Sequence, residues 1–338
     1  MASGPPASGS EIAKRLRIVF IGTPALAAHI LERLADTAAP DSATPGFEIA
    51  GVVTRPDQPR GRGLRLEPSE VAAEAQRRGL PLLKPAKIRS AEFLTELSAL
   101  NPDLLVVAAY GRLLPDPVLD AARIMPLNVH AALLPRHRGA SPVEGAILAG
   151  DAESGVTIMR ITSRMDAGPM LLARAIPIAP DETQGTLKEK LAELGAMALL
   201  EALEKLRHGQ LVETPQDESL ATYTSPVSKA DAAIDWSADA VRIERMVRAY
   251  DPWPVARTRV GGDELLVWRT ELEDPDSPAA PEVPGAAPGT IVRLKPDVAV
   301  QCGRGRIALA EVQAAGRKRM PAAEFLRGRR VIPGERLG

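Results

Sequence analysis

The stretch RIVFIGTPALAAHILERLAD, residues 17–36, decides the expected fold. After Arg17 its first residues are apolar, which is typical of a strand covered on both faces of a sheet. Thr23 and Pro24 then suit the N-cap and the first position of a helix, and the apolar residues that follow recur at helical spacing. A buried strand, a tight turn and a helix are the opening of an α/β domain with a mainly parallel sheet.

The same alternation of strand and helix patterns continues to about residue 209. Strand patterns occur at residues 47–54, 102–111 and 125–135, and on both sides of a loop at residues 165–168. A long amphipathic helix is predicted at about residues 186–206. We therefore predict a Rossmann-like N-terminal domain over residues 17–209. Sheets of this kind bind ligands at the carboxyl ends of their strands.

A different pattern begins after residue 209. Residues 210–228 are polar and rich in turn residues, which predicts a linker between domains. Short alternating runs separated by Gly and Pro follow, and they predict a small, OB-like β-barrel over residues 229–338. The first 16 residues are small, polar and rich in Pro and Gly, without the apolar run of a secretory signal. We expect residues 1–16 to be a disordered extension.

The composition is that of an ordinary globular protein, with 45% hydrophobic and 25% charged residues. No run of about 18 apolar residues suggests a membrane span, so we expect no membrane partner. Cys302 is the one cysteine and cannot form an internal disulfide, which fits a cytoplasmic location. The four histidines lack the spacing of metal ligands, so we expect no metal. No exposed apolar seam is evident, and we expect a monomer.

The stretch NVHAALLP, residues 128–135, carries the first chemical signal. On a strand, Asn128 and His130 share one face, and they open into a loop that contains Pro and Gly. Asp166 follows about one strand-loop-strand unit later. Taken without Asp166, the pair has a structural explanation: Asn128 would cap a turn and His130 would be a hydrogen-bonded histidine of the core. Together, an Asn, a His and an Asp suit acyl-type transfer, in which an oxyanion needs donors and an amine must lose a proton.

Four stretches of the sequence resemble the methionyl-tRNA formyltransferase family. They are RIVFIGTPALA (17–27), TRPDQPRGRG (54–63), NVHAALLPRHRGASP (128–142) and GVTIMRITSRMDAGPML (155–171). The resemblance runs from Arg17 to about Leu337. It implies a formyltransferase domain that moves the formyl group of 10-formyltetrahydrofolate to the α-amine of methionine on initiator tRNA, followed by a tRNA-binding domain.

The resemblance also implies roles for individual residues. Asn128, His130 and Asp166 match the family's catalytic triad: the amine attacks the formyl carbon directly, Asn128 and His130 donate to the oxyanion, and Asp166 orients the imidazole and helps to move the proton. No covalent enzyme intermediate is expected. The implied folate contacts are Tyr110, Gly111, Leu113, Ala132, Leu133, Leu134 and Pro135. Ala132 stands where relatives usually carry serine.

Two groups of basic residues are implied to contact tRNA. The first is Arg60, Arg62 and Arg65, in a loop whose Gly and Pro residues predict irregular structure, and Arg62 is its central residue. The second is Arg317, Lys318 and Arg319 in the C-terminal domain, where residues 317–338 carry seven basic and two acidic side chains. Such contacts to phosphates position a nucleic acid and make its affinity depend on salt.

Other functions are compatible with parts of this pattern. A formyltransferase that acts on a small amine, such as an amino sugar, or a 10-formyltetrahydrofolate hydrolase of the same fold would keep the same triad. A catalytically silent RNA-binding protein would need only the basic second domain. The arginine-rich loop and the basic C-terminal segment favour tRNA over a small acceptor, while the triad argues against simple binding.

Overall fold

A computed structural model describes residues 15–38, 46–60, 65–273 and 285–338 of the chain. Of the predicted extension, residues 1–14 lie outside this range, and Leu16 begins the first strand. The chain divides into two compact units: residues 1–142, 153–177 and 188–224 form the first, and residues 143–152, 178–187 and 225–338 the second. In the described parts, no helix is both long and apolar enough to span a bilayer.

Up to residue 207, each helix follows one, two or three strands along the chain. In chain order they are β1 (Leu16–Gly22), α1 (Ala25–Thr37), β2 (Phe47–Val53), β3 (Gln58–Arg60), β4 (Arg65–Glu67), α2 (Glu70–Arg77), β5 (Leu82–Leu83), α3 (Ala91–Ala99), β6 (Leu104–Ala108), α4 (Asp116–Leu119), β7 (Met125–His130), β8 (Arg138–Gly139), α5 (Pro142–Ala149), β9 (Glu153–Arg160), β10 (Met170–Pro177) and α6 (Gln184–Arg207).

The first unit is built on one large sheet. Within the described residues its strands lie in the order β10-β9-β7-β6-β1-β2-β5, and the strands from β7 to β5 pair in parallel. β9 is antiparallel to β7, and β10 is antiparallel to β9. Every residue of β6 is buried, as expected for a central strand covered on both faces. The predicted α/β fold with a mainly parallel sheet is confirmed.

Two local predictions in this unit are wrong. Helix α1 begins at Ala25 with Pro24 as its N-cap, one residue later than the sequence suggested, and the Thr23 hydroxyl donates to the Tyr110 carbonyl at 3.4 Å instead of capping the helix. The loop predicted to be irregular also contains a ribbon, in which β3 pairs antiparallel with β4. In a two-stranded ribbon both strands are edges, so Pro59 is tolerated although it has no N–H.

The second unit carries an antiparallel sheet. Its elements, together with one short strand before them, are β11 (Tyr223–Thr224), α7 (Ala240–Ala249), β12 (Ala256–Val260), β13 (Asp263–Leu272), β14 (Ile291–Arg293), β15 (Val298–Gln301), β16 (Arg306–Ala314), β17 (Met320–Pro321) and α8 (Ala322–Gly328). The strand order is β12-β13-β16-β15-β14, and β17 pairs with β16.

The last residues of the chain curl this sheet towards a barrel. Leu337 bridges Val260 at the end of β12, and Arg336 bridges Thr290 just before β14, so the two outer strands are linked through one segment. The interior is filled by a cluster of buried side chains that includes Trp236, whose Nε1 donates to Thr258 Oγ1 at 3.0 Å. This arrangement confirms the predicted small, OB-like β-barrel.

Two short segments from the range predicted as the N-terminal domain, residues 17–209, belong to the second unit. Residues 143–152 and 178–187 cluster with it, and within it Gln184 Nε2 donates to the buried Glu144 Oε1 at 2.6 Å. The predicted domain limits, 17–209 and 229–338 with a linker at 210–228, stay predictions.

A core substitution tests the position of β6. Leu105→Ala removes a fully buried side chain from the middle of this strand, and we expect a loss of about 2–5 kcal/mol in the free energy of unfolding. Leu220→Ala is the matched control, because Leu220 is 59% exposed and its truncation should change stability by no more than about 0.5 kcal/mol. Urea unfolding of both variants measures the difference, and equal losses would contradict the buried position.

The single thiol tests the packing of the second unit. Burial raises the pKa of the Cys302 thiol to about 12, so the thiol stays protonated at pH 8 and only a very small fraction is the reactive thiolate. We expect Ellman's reagent to label almost no thiol in the native protein and one thiol per chain in guanidinium chloride. Rapid labelling of the native protein would show that this core is open.

Candidate active site

The site is centred on the carboxyl end of β7. This strand lies between β6 and β9, and Asn128 is paired with Val107 on one side and Met159 on the other. Asn128 and His130 occupy alternate positions of the strand, so their side chains share a face while Val129 is buried on the opposite one. The structure therefore puts both residues where the sequence predicted them, at the end of a sheet strand.

Asp166 lies beside both of these side chains. Its Oδ1 accepts from Asn128 Nδ2 at 3.5 Å, and its Oδ2 is 3.9 Å from His130 Nδ1. The backbone amide of Gly139 also donates to Oδ2, at 2.8 Å. Three donors or potential donors thus surround one carboxylate, and the three residues singled out from the sequence form a single cluster.

A hydrogen bond at Nε2 sets the orientation of the His130 ring and leaves Nδ1 facing the Asp166 carboxylate. His130 Nε2 is 3.0 Å from the carbonyl oxygen of His137, and the ring is buried. A carbonyl can only accept, so Nε2 carries a hydrogen in this contact. Nδ1 is therefore the ring nitrogen that faces Asp166.

The loop that contributes these backbone groups has an unusual conformation. His137 and Gly139 have φ angles of 56° and 110°, a region that L side chains rarely adopt. A Cβ at Gly139 would also collide with the carbonyl oxygen of Thr224. Glycine at position 139 is therefore needed both for its backbone angles and for the close approach of the chain at Thr224.

Arg138, between these two residues, is a site residue that the sequence analysis missed. Its side chain is fully buried, and its guanidinium donates to Gln216 Oε1, to both carboxylate oxygens of Glu218 and to Tyr223 Oη at 2.8–3.1 Å. The hydrogen bonds with Glu218 raise the pKa of Arg138 and lower the pKa of the Glu218 carboxyl. Nothing in the local sequence distinguishes Arg138 from its exposed neighbour Arg136.

Asp166 itself is held in the left-handed region, with φ at 47°. Such a conformation costs a residue other than glycine about 1–3 kcal/mol and persists only when its surroundings enforce it. Gln216 Nε2 donates to the carbonyl oxygens of Asp166 and Gly168, at 2.8 and 2.7 Å. Gln216 is thus a second residue at the site that the sequence analysis missed, because it lies in the segment interpreted as a linker.

Thr157 anchors the segment predicted to contact folate. This threonine is fully buried on β9, opposite His130. Its hydroxyl donates to the carbonyl of Ala132 at 2.8 Å and accepts from the amide of Leu134 at 3.1 Å. Ala132 and Leu134 are buried, while Leu133 and Pro135 are half-buried. The segment that directly follows His130 is therefore fixed through its backbone.

The other predicted folate residues follow β6, next to the end of β7. The Tyr110 side chain is buried, burial raises its pKa, and its hydroxyl has no hydrogen-bond partner among the described residues. Gly111 has φ at 73° and its carbonyl accepts from the Arg55 guanidinium. Leu113 is 70% exposed. These residues differ in environment, and only Gly111 and Leu113 are open to solvent.

The predicted tRNA-contacting cations lie on two separate features. Arg60 and Arg65 pair across the ribbon of β3 and β4, and Arg62 lies outside the described residues. Arg317, Lys318 and Arg319 are exposed in the turn between β16 and β17.

Trp268, which the sequence analysis did not single out, packs against the turn that carries Arg317, Lys318 and Arg319. The Arg319 guanidinium lies 3.2 Å from the centre of the Trp268 ring, and Trp268 Nε1 donates to Gln313 Oε1 at 2.9 Å. Gln313 Nε2 in turn donates to the Arg317 carbonyl at 2.7 Å. The turn is therefore fixed by its contacts with Trp268 and Gln313, while its charged residues are exposed to solvent. Over the described parts of the chain, His, Cys, Asp and Glu residues form no group suited to a metal ion.

Comparison with known proteins places this geometry in a family. Residues 16–203 match the formyl transferase family and residues 226–330 match the formyl transferase C-terminal domain family. The chain is 45% identical to the methionyl-tRNA formyltransferase of Nitrosospira multiformis over 323 residues, which are 95% of this chain and 99% of that one. It is also 45% identical to the methionyl-tRNA formyltransferase of Methylococcus capsulatus, over 96% of this chain and 100% of the relative.

A solved structure shares the fold at low identity. The N-formyltransferase of Helicobacter canadensis, solved with folinic acid and dTDP-3-aminofucose, superposes with a TM-score of 0.62 at 14% identity, over 88% of this chain and 99% of that one. At this identity the likeness concerns the fold alone. The full-length match to the curated relatives is more specific, and it shows that the chain belongs to the methionyl-tRNA formyltransferase family.

Proposed function

We propose that this chain transfers the formyl group of 10-formyltetrahydrofolate to the α-amine of methionine on initiator tRNA, and that Asn128, His130 and Asp166 carry out the chemistry. The observation that carries the proposal is the position of the Asp166 carboxylate between Asn128 Nδ2 and His130 Nδ1. When an amine attacks a formyl carbon, the amine needs an acceptor for its proton and the oxyanion needs hydrogen-bond donors. The carboxylate can supply the first and the two nitrogens the second.

Asn128 and His130 stabilise the oxyanion in this mechanism. The Asn128 amide has two hydrogens, of which one points at Asp166 and the other is free for the oxygen of the formyl group. Protonated at Nδ1, the His130 imidazole donates from the same side, and its positive charge is balanced by Asp166. Because the His130 ring is buried, these interactions act in a setting of low dielectric, where they are stronger than in water.

Asp166 handles the proton. The α-amine forms a bond to the formyl carbon and the bond from that carbon to N10 of the folate breaks. The amine loses one proton and N10 gains one, so the proton count balances without a covalent enzyme intermediate. The Asp166 carboxylate, fixed by the Gly139 amide, accepts the amine proton and returns it towards N10 through the hydrogen-bonded site.

The donor and acceptor reach the site through the residues around it. We infer that Ala132 to Pro135, with Tyr110, Gly111 and Leu113, line the folate site at the ends of β6 and β7. We infer further that Arg60, Arg62 and Arg65 engage the acceptor stem and that Arg317, Lys318 and Arg319 contact tRNA phosphates. We infer that the proposed reaction takes place in the cytoplasm.

The acceptor is tested by a substrate panel. We expect wild-type protein to move formyl from 10-formyltetrahydrofolate to methionyl initiator tRNA, and not to free methionine, an amino sugar nucleotide or water. Formylation of the amino sugar would support the small-amine alternative, and release of formate would support a hydrolase. Either outcome would leave the fold and the triad intact but overturn the tRNA acceptor.

Loss of an oxyanion donor tests the triad. We expect Asn128→Ala to lower kcat by about 100- to 1000-fold, the usual effect of removing one such donor, with KM for both substrates nearly unchanged. Thr162→Ala is a control, because Thr162 is an exposed residue whose hydroxyl donates only to a nearby carbonyl, and its kcat should stay within about twofold. A kcat close to wild type in Asn128→Ala would exclude its role in stabilising the oxyanion.

Salt dependence tests the C-terminal cations. We expect Arg317→Gln to raise KM for methionyl-tRNA, to leave kcat unchanged and to reduce the slope of log affinity against log salt by about 1, as loss of one phosphate contact does. Arg269→Gln removes an equally exposed charge that is paired with Glu271, and it should leave the slope unchanged. Identical slopes for Arg317→Gln and wild type would remove Arg317 from the tRNA site.

A further inference from the structure

The segment that follows α6 is bonded at both ends to the active-site loops. Thr214 exchanges two backbone hydrogen bonds of 2.8 Å with Met170, just after the loop of Asp166. At the other end, Tyr223 and Thr224 pair with Arg138 and Gly139. We call residues 214–224 the strap. It connects the loop that carries Asp166 to the loop that carries Gly139.

One side chain near the start of the strap contacts both loops. Gln216 Nε2 donates to the carbonyl oxygens of Asp166 and Gly168, at 2.8 and 2.7 Å, while its Oε1 accepts from Arg138 Nε and Nη2 at 3.0 and 2.8 Å. Both amide hydrogens and both lone pairs of Oε1 are therefore used. Gln216 joins the two loops through four hydrogen bonds.

The bonds from Gln216 Nε2 act on the backbone of Asp166, whose carboxylate must point towards Asn128 and His130. The φ of Asp166 is positive, and its carboxylate reaches Gly139 and Asn128 from that backbone position. Relaxation of the Asp166 backbone towards negative φ would turn the side chain away from His130. The two donations from Gln216 hold two peptide groups that follow the Asp166 Cα, those that join residues 166–167 and 168–169.

We propose that Gln216 is a positioning residue for formyl transfer: its amide N–H groups hold Asp166 at the distance from Asn128 and His130 that the reaction needs. This inference rests on the proposed function. Gln216 touches neither substrate in this account, and it acts through Asp166. A misplacement of about 1 Å at a reacting group costs on the order of 100-fold in rate, which sets the size of the expected effect.

A purely structural role for Gln216 would rest on its amide oxygen, Oε1, and not on its N–H groups. The fully buried Arg138 guanidinium needs acceptors, and Gln216 Oε1 supplies one of them. Two substitutions separate these roles. Gln216→Glu keeps carboxylate oxygens for Arg138 but has no N–H for the carbonyls of Asp166 and Gly168, whereas Gln216→Met loses both sets of hydrogen bonds.

The kinetic test compares both variants with wild type. We expect each to lower kcat by about 10- to 100-fold, with KM for methionyl-tRNA and for the folate within about twofold, while Gln216→Glu, which still pairs with Arg138, has a higher melting temperature than Gln216→Met. Glu213→Gln is the matched control, since Glu213 precedes the strap and forms an exposed pair with Arg160. Wild-type kcat in Gln216→Glu would overturn the proposal, because it would show that only the bond to Arg138 matters.

A second measurement does not depend on activity. The Gly139 amide donates to the Asp166 carboxylate, so its proton resonance should move upfield in both Gln216 variants as this bond lengthens, and stay in place in Glu213→Gln. An unchanged resonance in Gln216→Glu would overturn the proposal. If wild-type protein formylates no methionyl-tRNA, the proposed function fails, and the Gly139 resonance still decides whether Gln216 positions Asp166.

Discussion

The buried guanidinium of Arg138 is the constraint on which the active-site loop depends. A charge removed from water must be paired, and stranding one typically costs about 3–5 kcal/mol. Its partners Gln216, Glu218 and Tyr223 all come from the strap, 78 to 85 residues further along the chain. The loop is thus held by the strap in the conformation in which the Gly139 amide donates to Asp166. The buried charge links this loop to a segment that is distant along the chain.

The sheet explains why a second loop must be held so firmly. β9 runs antiparallel to β7 and ends beside Pro126, since the amide of Ile161 donates to the Pro126 carbonyl. The loop that follows β9 thus starts near the amino end of β7 and has to turn back to bring Asp166 to His130. The left-handed backbone of Asp166 is part of this reversal. A strained residue in a returning loop needs bonds from outside the loop, and the strap supplies them.

Periodicity in the sequence predicted what depends on neighbours along the chain. The apolar run after Arg17 lies in β1, and the Asn-x-His spacing correctly put Asn128 and His130 on one face of a strand end. The start of α1 was misplaced by one residue because the Thr23 hydroxyl has a tertiary partner. Gln216 could not be found from the sequence, because a polar residue in a turn-rich segment has the same local pattern whether it faces solvent or the loops of Asp166 and Arg138.

Backbone contacts fix the segment that follows His130. The Ala132 methyl is buried, and the segment is anchored by Thr157, whose hydroxyl donates to the Ala132 carbonyl and accepts from the Leu134 amide. Both of these groups belong to the backbone, so the anchor is independent of the side chain at position 132. The path of the chain from His130 to Pro135 is thus set from β9, whatever side chain position 132 carries.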